Sequence, residues 1–254
     1  MLSYQHIYHA GNLADVHKHA LLAWMLDYLA QKPKPLSYLE THAGRAVYDL
    51  GAAEAVKTGE AAHGIVKVRD WFAPEHPYAR ALAAVAPAYP GSPAIAAHLL
   101  RPDDPITLAE LHPQEAAALR DAMARAHAEV RLQDGFEMAM SRTPPTPRRG
   151  LLLCDPSYEV KADYATIPEF LAKVHRRWGV GVLVLWYPIL TSGAHRGMVA
   201  DLRARLPEGV VDEVRFPPAR PGHGMVGSGL FVVNPPYGFA EAAAGLREKF
   251  ATLR

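Results

Sequence analysis

Residues 150–158 read GLLLCDPSY, an apolar strand that stops on Asp155 and runs into a polar loop. A second stretch, FVVNPPY at 231–237, has the same form, with Asn234 and Pro236 where the first has Asp155 and Ser157. Outward from 150–158, strands and helices alternate. Upstream lie LSYLETHAG at 36–44, PITLAEL at 105–111 and AEVRLQDGF at 128–136, each an apolar stretch that ends in a polar or glycine turn. Residues 14–31 carry Leu21, Leu22, Met25, Leu26 and Leu29 at helical spacing, and the prolines from Pro33 end that helix. Pro113 opens another helix at its first turn. Downstream the pattern predicts a helix over 163–177, a strand at 180–188, a helix near 194–206, strands near 209–216 and 229–236, and a last helix from about 239.

This alternation predicts an α/β fold, a three-layer sandwich around a mostly parallel sheet. The last two strands have no helix between them, so they are expected to pair antiparallel. Residues 50–100 break the rhythm: they are rich in Ala and Pro, with several short helices and no convincing strand. They read as a helical insertion between the parts of the main domain at 1–49 and 101–254.

With 254 residues, half of them hydrophobic, the chain is long enough for a sizeable core. The net charge of +1 excludes a polycation, so any nucleic acid must be met by a local patch. The opening, MLSYQHIYHAGN, has neither the basic start nor the apolar run of a signal peptide. No stretch reaches the ~18 apolar residues of a membrane span. The single cysteine, Cys154, excludes an internal disulfide and suits a reducing cytoplasm. His6, His9, His17 and His19 crowd the N-terminal region but match no common zinc spacing, so no metal is expected.

In an open α/β sheet, ligands bind beyond the carboxyl ends of the strands, near the switch point. The strand ends here carry, in order, THAG at 41–44, Glu110, Asp134-Gly135 and the loop from Asp155 to Tyr158. A small turn lets a cofactor approach the backbone, and an acid ending the second strand can accept from both ribose hydroxyls. Asp134-Gly135 can reach an adenine amine. This is the layout of an S-adenosylmethionine (AdoMet) site, and the loop after strand four faces its reactive end. The 234–237 copy follows an antiparallel strand and is expected at the opposite edge, as an ordinary Pro-Pro strand stop.

An aromatic amine such as adenine N6 is a poor nucleophile, because its lone pair is delocalised. A carboxylate from Asp155 and a carbonyl from Pro156 can accept its two hydrogens and aim the lone pair at a methyl group. Tyr158 can offer a face to a flipped base. Ser157 in place of a proline costs rigidity but keeps its carbonyl.

MLSYQHIYHAGNLADVHKH at 1–19, YLETHAG, YPGSP at 89–93, LAELHP, DGF and Asp-Pro-x-Tyr together resemble the bacterial ribosomal RNA large subunit methyltransferase J family, over nearly the whole chain. The resemblance implies a Rossmann-like class I AdoMet-dependent methyltransferase with a small helical insertion. It implies N6-methylation of one adenine of 23S rRNA, protein-free or in an early precursor, with S-adenosyl-L-homocysteine as product and no metal. It implies AdoMet contacts at His19, His42, Ser92, Glu110, Asp134 and Gly135, and Asp155 as catalytic acceptor. Tyr4, His6 and Lys18 would face the adenine, beside Pro156 and Tyr158. Two departures stand out: DPSY for the family's usual DPPY, and RAVYDLG after THAG, where relatives tend to carry another glycine.

Plainer readings stand beside these. His19 and His42 suit ordinary polar contacts, and Ser92 suits a helix N-cap. Tyr4 and Tyr8 suit core packing. The pairs Lys32/Lys34, Arg148/Arg149, Arg176/Arg177 and Arg215/Arg220 suit solvated surface. The same loop chemistry would serve a DNA adenine or a protein glutamine, and a decayed loop would leave an RNA-binding protein without activity. With no long apolar dimerisation helix, a cytoplasmic monomer is expected.

Overall fold

Side chains along the central strands alternate between two cores, as a sheet covered on both faces requires. In the computed structural model, which describes residues 4–253 apart from His127, Arg220, Pro221 and His223, this alternation is regular. Arg220 and the first three residues of the N-terminal block therefore lie outside the described residues. Tyr38, Leu108, Leu151, Leu153 and Val184 face one core. Leu39, Ala109, Leu152, Cys154 and Leu185 face the other.

The strands, in chain order, are β1 (Ser37–Glu40), β2 (Val47–Tyr48), β3 (Tyr89–Pro90), β4 (Ile106–Ala109), β5 (Glu129–Arg131), β6 (Gly150–Cys154), β7 (Val182–Leu190), β8 (Val210–Arg215) and β9 (Met225–Val233). Seven of them form one sheet in the order β5-β4-β1-β6-β7-β9-β8. The first five of that order run parallel. β9 pairs antiparallel with both β7 and β8, as the missing crossover helix predicts. The strand order reverses between β1 and β6, which is the switch point.

The helices are α1 (Leu13–Ala30), the short α2 (Ala53–Thr58), α3 (Glu60–His63) and α4 (Ile65–Val68), then α5 (Pro77–Ala84), α6 (Ser92–Leu99), α7 (Pro113–Met123), α8 (Gly135–Arg142), α9 (Asp163–Arg177), α10 (His195–Arg205) and α11 (Phe239–Ala251). α1 packs with α5, α6 and α11 on one side of the sheet. α9 and α10 pack on the other, with Met138 and Ala139 of α8 in the same core. α1 is apolar on more than one face because it lies between the sheet and that outer layer. Asn12 caps it, its side-chain oxygen accepting from the Asp15 N–H at 2.9 Å.

Three features depart from the sequence pattern. The 50–100 segment does contain a strand: Tyr89–Pro90 pairs with Val47–Tyr48 just after the first strand end. A pair of two-residue strands carries no periodicity that could announce it. α8 begins within DGF, because Asp134 caps it by accepting from the Glu137 N–H at 2.9 Å. Ser92 is not a helix N-cap. Gly91 holds that place, and the Ser92 hydroxyl turns inward to Glu40.

Candidate active site

The ends of the parallel strands open into one cavity of about 440 Å³. All twelve residues singled out from the sequence border it: Tyr4, His6, Lys18 and His19 from the N-terminal block, His42, Ser92, Glu110, Asp134 and Gly135 from the strand ends and α6, and Asp155, Pro156 and Tyr158 from the loop after β6.

The half of the cavity on the β4/β5 side is built from backbone groups and carboxylates. Gly44 adopts φ +61°, and a Cβ there would lie 2.3 Å from the Tyr48 hydroxyl, so a side chain would be strained and would displace Tyr48. The Glu110 carboxylate accepts from the Gly44 N–H and the His112 N–H, each at 2.8 Å. Burial nonetheless raises its pKa. Asp134 spends one oxygen on capping α8. A Cβ on Gly135 would fall 1.8 Å from the Thr41 carbonyl oxygen, so this glycine lets α8 start against the loop after β1. His42 Nδ1 lies 2.7 Å from the hydroxyl of its neighbour Thr41, and the ring stands edge-on to Phe136 at 5.2 Å. Burial pushes its pKa down to about 4. His112 Nδ1 and the Tyr164 hydroxyl, both in the lining, are buried without a hydrogen-bond partner. These are polar groups that a bound molecule would satisfy.

Below the cavity, Glu40 ends β1 fully buried, accepting from the Tyr38 hydroxyl at 2.8 Å and from the Ser92 hydroxyl. Burial pushes its pKa up to about 8. His19 holds the Tyr89 hydroxyl with Nδ1 at 2.8 Å, and burial takes its pKa down to about 3. Ser92 and His19 therefore each carry a structural contact of their own at the cavity wall.

At the switch point the charges converge. Lys18 reaches across from α1 and donates to Asp155 at 2.6 Å and to Asp15 at 3.0 Å. Burial opposes the lysine's charge, but the two carboxylates, Asp155 foremost, more than reverse this and raise its pKa. Asp15 also accepts from the Gly11 N–H at 2.9 Å and pairs with His6 Nε2 at 2.8 Å. Burial pushes the Asp15 carboxyl up, yet His6, Lys18 and His19 together hold it well below the usual range. His6 Nδ1 in turn lies 2.8 Å from the Tyr4 hydroxyl, and the Tyr4 ring stacks on His9 at 5.8 Å. The N-terminal block is thus one chain of contacts from Tyr4 to Asp155, centred on Asp15. The sequence reading passed over Asp15, whose spacing of three from Lys18 along a helix was the available signal.

Two loop residues behave differently from their sequence appearance. Tyr158 adopts φ +57°, sends its hydroxyl to the Trp186 carbonyl at 2.8 Å and lays its ring on Tyr164 at 4.6 Å. Ser157 Oγ accepts from the Glu159 N–H at 3.4 Å, so the hydroxyl helps hold the loop that a second proline would have stiffened. The wall on the β7 side, made by Trp186, Pro188, Leu190 and Met225, was missed altogether. Trp186 and Pro188 stand in an apolar strand where periodicity gives no hint of a ligand.

The other loop sits at the far edge. Asn234 donates from Nδ2 to the carbonyls of Gly179 and Gly181 at 3.0 and 2.9 Å, where β7 begins. Lys32/Lys34, Arg148/Arg149 and Arg176/Arg177 also precede parallel strands and lie toward that edge. Among the described members of the basic pairs, only Arg215, at the end of β8, lies toward the cavity edge. Among the described residues no three His, Cys, Asp or Glu side chains are grouped to hold a metal ion, and no helix is long and apolar enough to cross a membrane.

A family model described as ribosomal RNA large subunit methyltransferase D, RlmJ, matches residues 33–251. This chain belongs to that family. It is 38% identical over 249 residues to the ribosomal RNA large subunit methyltransferase J of Escherichia coli K12, covering 93% of this chain and 88% of the relative. The Haemophilus influenzae enzyme of the same name is 36% identical over 248 residues with the same coverage. A crystal structure of a Legionella pneumophila protein superposes with a TM-score of 0.87 at 34% identity, covering 96% of this chain and 94% of that one. The O-methyltransferase TomG of Streptomyces achromogenes, solved with bound SAM, shares the fold at a TM-score of 0.50 and 14% identity, over 85% and 79% of the two chains. The fold is the Rossmann-like methyltransferase fold. The residues matched by the family model include the loop from Asp155, while the more distant likeness shows the fold alone.

Proposed function

We propose that this chain transfers a methyl group from AdoMet to N6 of one adenine in 23S rRNA. The observation that carries the reading is the position of Asp155-Pro156. They stand beyond the switch point, between a carboxylate-lined half of the cavity and an apolar half, with Asp155 held by Lys18 at 2.6 Å. The relatives' printed names supply the substrate class: both are large subunit ribosomal RNA methyltransferases.

The residues on the β4/β5 side suit AdoMet. Glu110 offers the remaining lone pairs of a desolvated carboxylate to a ribose, and Asp134 offers the oxygen not used in capping α8. Gly44 leaves backbone space, and the unpartnered His112 Nδ1 and Tyr164 hydroxyl await polar contacts. His42, Ser92 and His19 complete the wall, with Gly135 at the start of α8. AdoMet supplies an electrophilic sulfonium methyl, leaving S-adenosyl-L-homocysteine when the methyl moves to nitrogen.

The chain's own residues prepare the acceptor. The Asp155 carboxylate and the Pro156 carbonyl accept the two N6 hydrogens, which localises the nitrogen lone pair and turns it toward the methyl donor. Lys18 fixes the carboxylate so that little reorganisation accompanies the reaction. Tyr4 and His6, tied to Asp15, close over the acceptor, and Tyr158 borders it. The proton leaves N6 once alkylation has made the nitrogen acidic, with Asp155 or water receiving it. We propose the enzyme acts as a cytoplasmic monomer on protein-free or early precursor 23S rRNA.

The test is methyl transfer from labelled AdoMet to protein-free 23S rRNA, by wild type and by Asp155→Ala, with DNA and protein as competing acceptors. N6-methyladenine in the rRNA from wild type alone supports the reading. Equal incorporation by both proteins, or incorporation only into DNA or protein, overturns it.

A further inference from the structure

We propose that Trp186 is the aromatic platform for the acceptor base, its ring held in place by a buried Ser228–His17–Asp212 relay. The inference rests on the methyl-transfer reading and names the acceptor half of the same cavity.

Sheet order separates the two halves. β1, β4 and β5 lie on one side of β6 and carry the carboxylate stations, whereas β7 and β9 lie on the other. Asp155 stands at the end of β6, so an amine held by it presents its ring toward β7. On that side Trp186 and Pro188 share one face of β7, two residues apart. Tyr158, the aromatic residue of the loop, is 8% exposed, with its hydroxyl committed to the Trp186 carbonyl and its ring against Tyr164. It shapes the wall but has little free face. The Trp186 indole borders the cavity, and its ring centroid lies 5.4 Å from Lys18 Nζ, itself 2.6 Å from Asp155. A base packed on Trp186 would therefore have its exocyclic amine within reach of Asp155.

The ring is not free to turn. Trp186 Nε1–H donates to Ser228 Oγ at 2.9 Å. Ser228 Oγ lies 2.9 Å from His17 Nδ1, and His17 Nε2 lies 2.8 Å from Asp212. Arg247 also donates to Asp212. Indole is a donor only, so Ser228 accepts from it. The one arrangement in which every hydrogen of this chain of contacts finds an acceptor has Ser228 donating to His17 Nδ1, and Nε2–H donating to Asp212. Ser228, His17 and Asp212 are each no more than 1% exposed. Their Ser-His-Asp order is that of a hydrolase triad, but the hydroxyl is sealed from any substrate. Five elements, α1, β7, β8, β9 and, through Arg247, α11, meet at this relay, and it orients one indole. Ser228 and His17 are positioning residues, acting through Trp186.

The experiment has two arms. In the first, methyl transfer to 23S rRNA and AdoMet binding are measured for Trp186→Ala, Trp186→Phe and Ser228→Ala. Loss of a stacked base costs roughly ten- to a hundredfold. Trp186→Ala is expected to lose that much in kcat/KM for RNA, with the AdoMet Kd unchanged. Trp186→Phe is expected to recover most of the loss, and Ser228→Ala to fall between. In the second arm, tryptophan emission is followed as an adenine-containing oligoribonucleotide is added with S-adenosylhomocysteine present, in wild type and Trp186→Phe. Quenching in wild type that is largely lost in Trp186→Phe supports the proposal without requiring turnover. Equal quenching in both proteins, or none in either, overturns it. Wild-type transfer that Trp186→Ala leaves unchanged also overturns it. Absence of transfer by wild type, with the quenching difference intact, would instead remove the rRNA methylation reading and leave the platform.

Discussion

Asp155–Tyr158 and Asn234–Tyr237 are nearly the same four residues, and they lie at opposite edges of one sheet. The first ends a parallel strand at the switch point, with Asp155 held by Lys18 at 2.6 Å and Tyr158 8% exposed. The second ends an antiparallel strand, with Asn234 fastened to the Gly179 and Gly181 carbonyls and Tyr237 88% exposed. Each uses a left-handed residue to turn, Tyr158 at φ +57° and Asn234 at φ +53°. Strand direction separates them. It delivers one loop to the cavity where carboxylates, histidines and a lysine converge, and the other to the edge where strands begin. A short motif has no chemistry until the sheet places it.

The largest effect expected from this contrast is at Asp155. Asp155→Ala should lower methyl transfer by roughly 10²–10³-fold while AdoMet still binds, the size of losing one preorganised group that acts on the reacting atoms. Transfer assays with isothermal titration of AdoMet check this, and wild-type rates would break the contrast. Next comes Lys18→Met, which removes the cation between Asp155 and Asp15. It should cost roughly ten- to a hundredfold in kcat, because the buried Asp15 and the half-buried Asp155 lose the cation they share. Single-turnover kinetics would separate that loss from binding.

A third expectation concerns buried charge, which the cavity edge collects. Glu40 has its pKa pushed up to about 8 from an ordinary 4.5, chiefly by burial. Between those values the folded chain keeps a proton that the unfolded chain has released, so this group lowers stability as pH rises from about 5 to 8. Glu40→Gln cannot ionise, so its melting temperature should gain on wild type by roughly several degrees across that window. Thermal unfolding at a series of pH values tests it, and a constant gap would refute the assignment. At the far edge, Asn234→Ala should cost about 1–2 kcal/mol of stability through two lost hydrogen bonds and leave transfer unchanged. Denaturant unfolding beside the methylation assay reads both. The smallest effect is expected for Ser157→Pro. The loop is already held by the Ser157–Glu159 contact and by Tyr158, so the rate should change by no more than roughly threefold.

Much of this architecture was legible in the residues. Apolar runs separated by helical spacing, with no helix between the last two strands, determined the sheet class and its antiparallel end. The strand-end residues Gly44, Glu110 and Asp134 marked one half of the cavity, because the carboxyl ends of parallel strands meet at one edge. Four things were not legible. The Tyr89–Pro90 strand is too short to have a period. Ser92 follows its helix cap instead of forming it, which depends on Glu40 lying 52 positions away in sequence. The role of Asp15 depends on three partners gathered from α1 and from the turn before it. The β7 wall depends on which face of an apolar strand is left uncovered.

The sequence by itself determined the strands of the main sheet, most of the helices and which residues carry charge at the strand ends, since these follow from local composition and spacing. Tertiary structure alone decided which of two similar loops meets the lysine, which histidine orients a tryptophan, and which carboxylates share one lysine. Those are distances between segments up to 211 positions apart, as for His17 and Ser228, and no local pattern encodes them. They arise when strand order and direction bring distant side chains into a low-dielectric interior, where each polar group must find a partner.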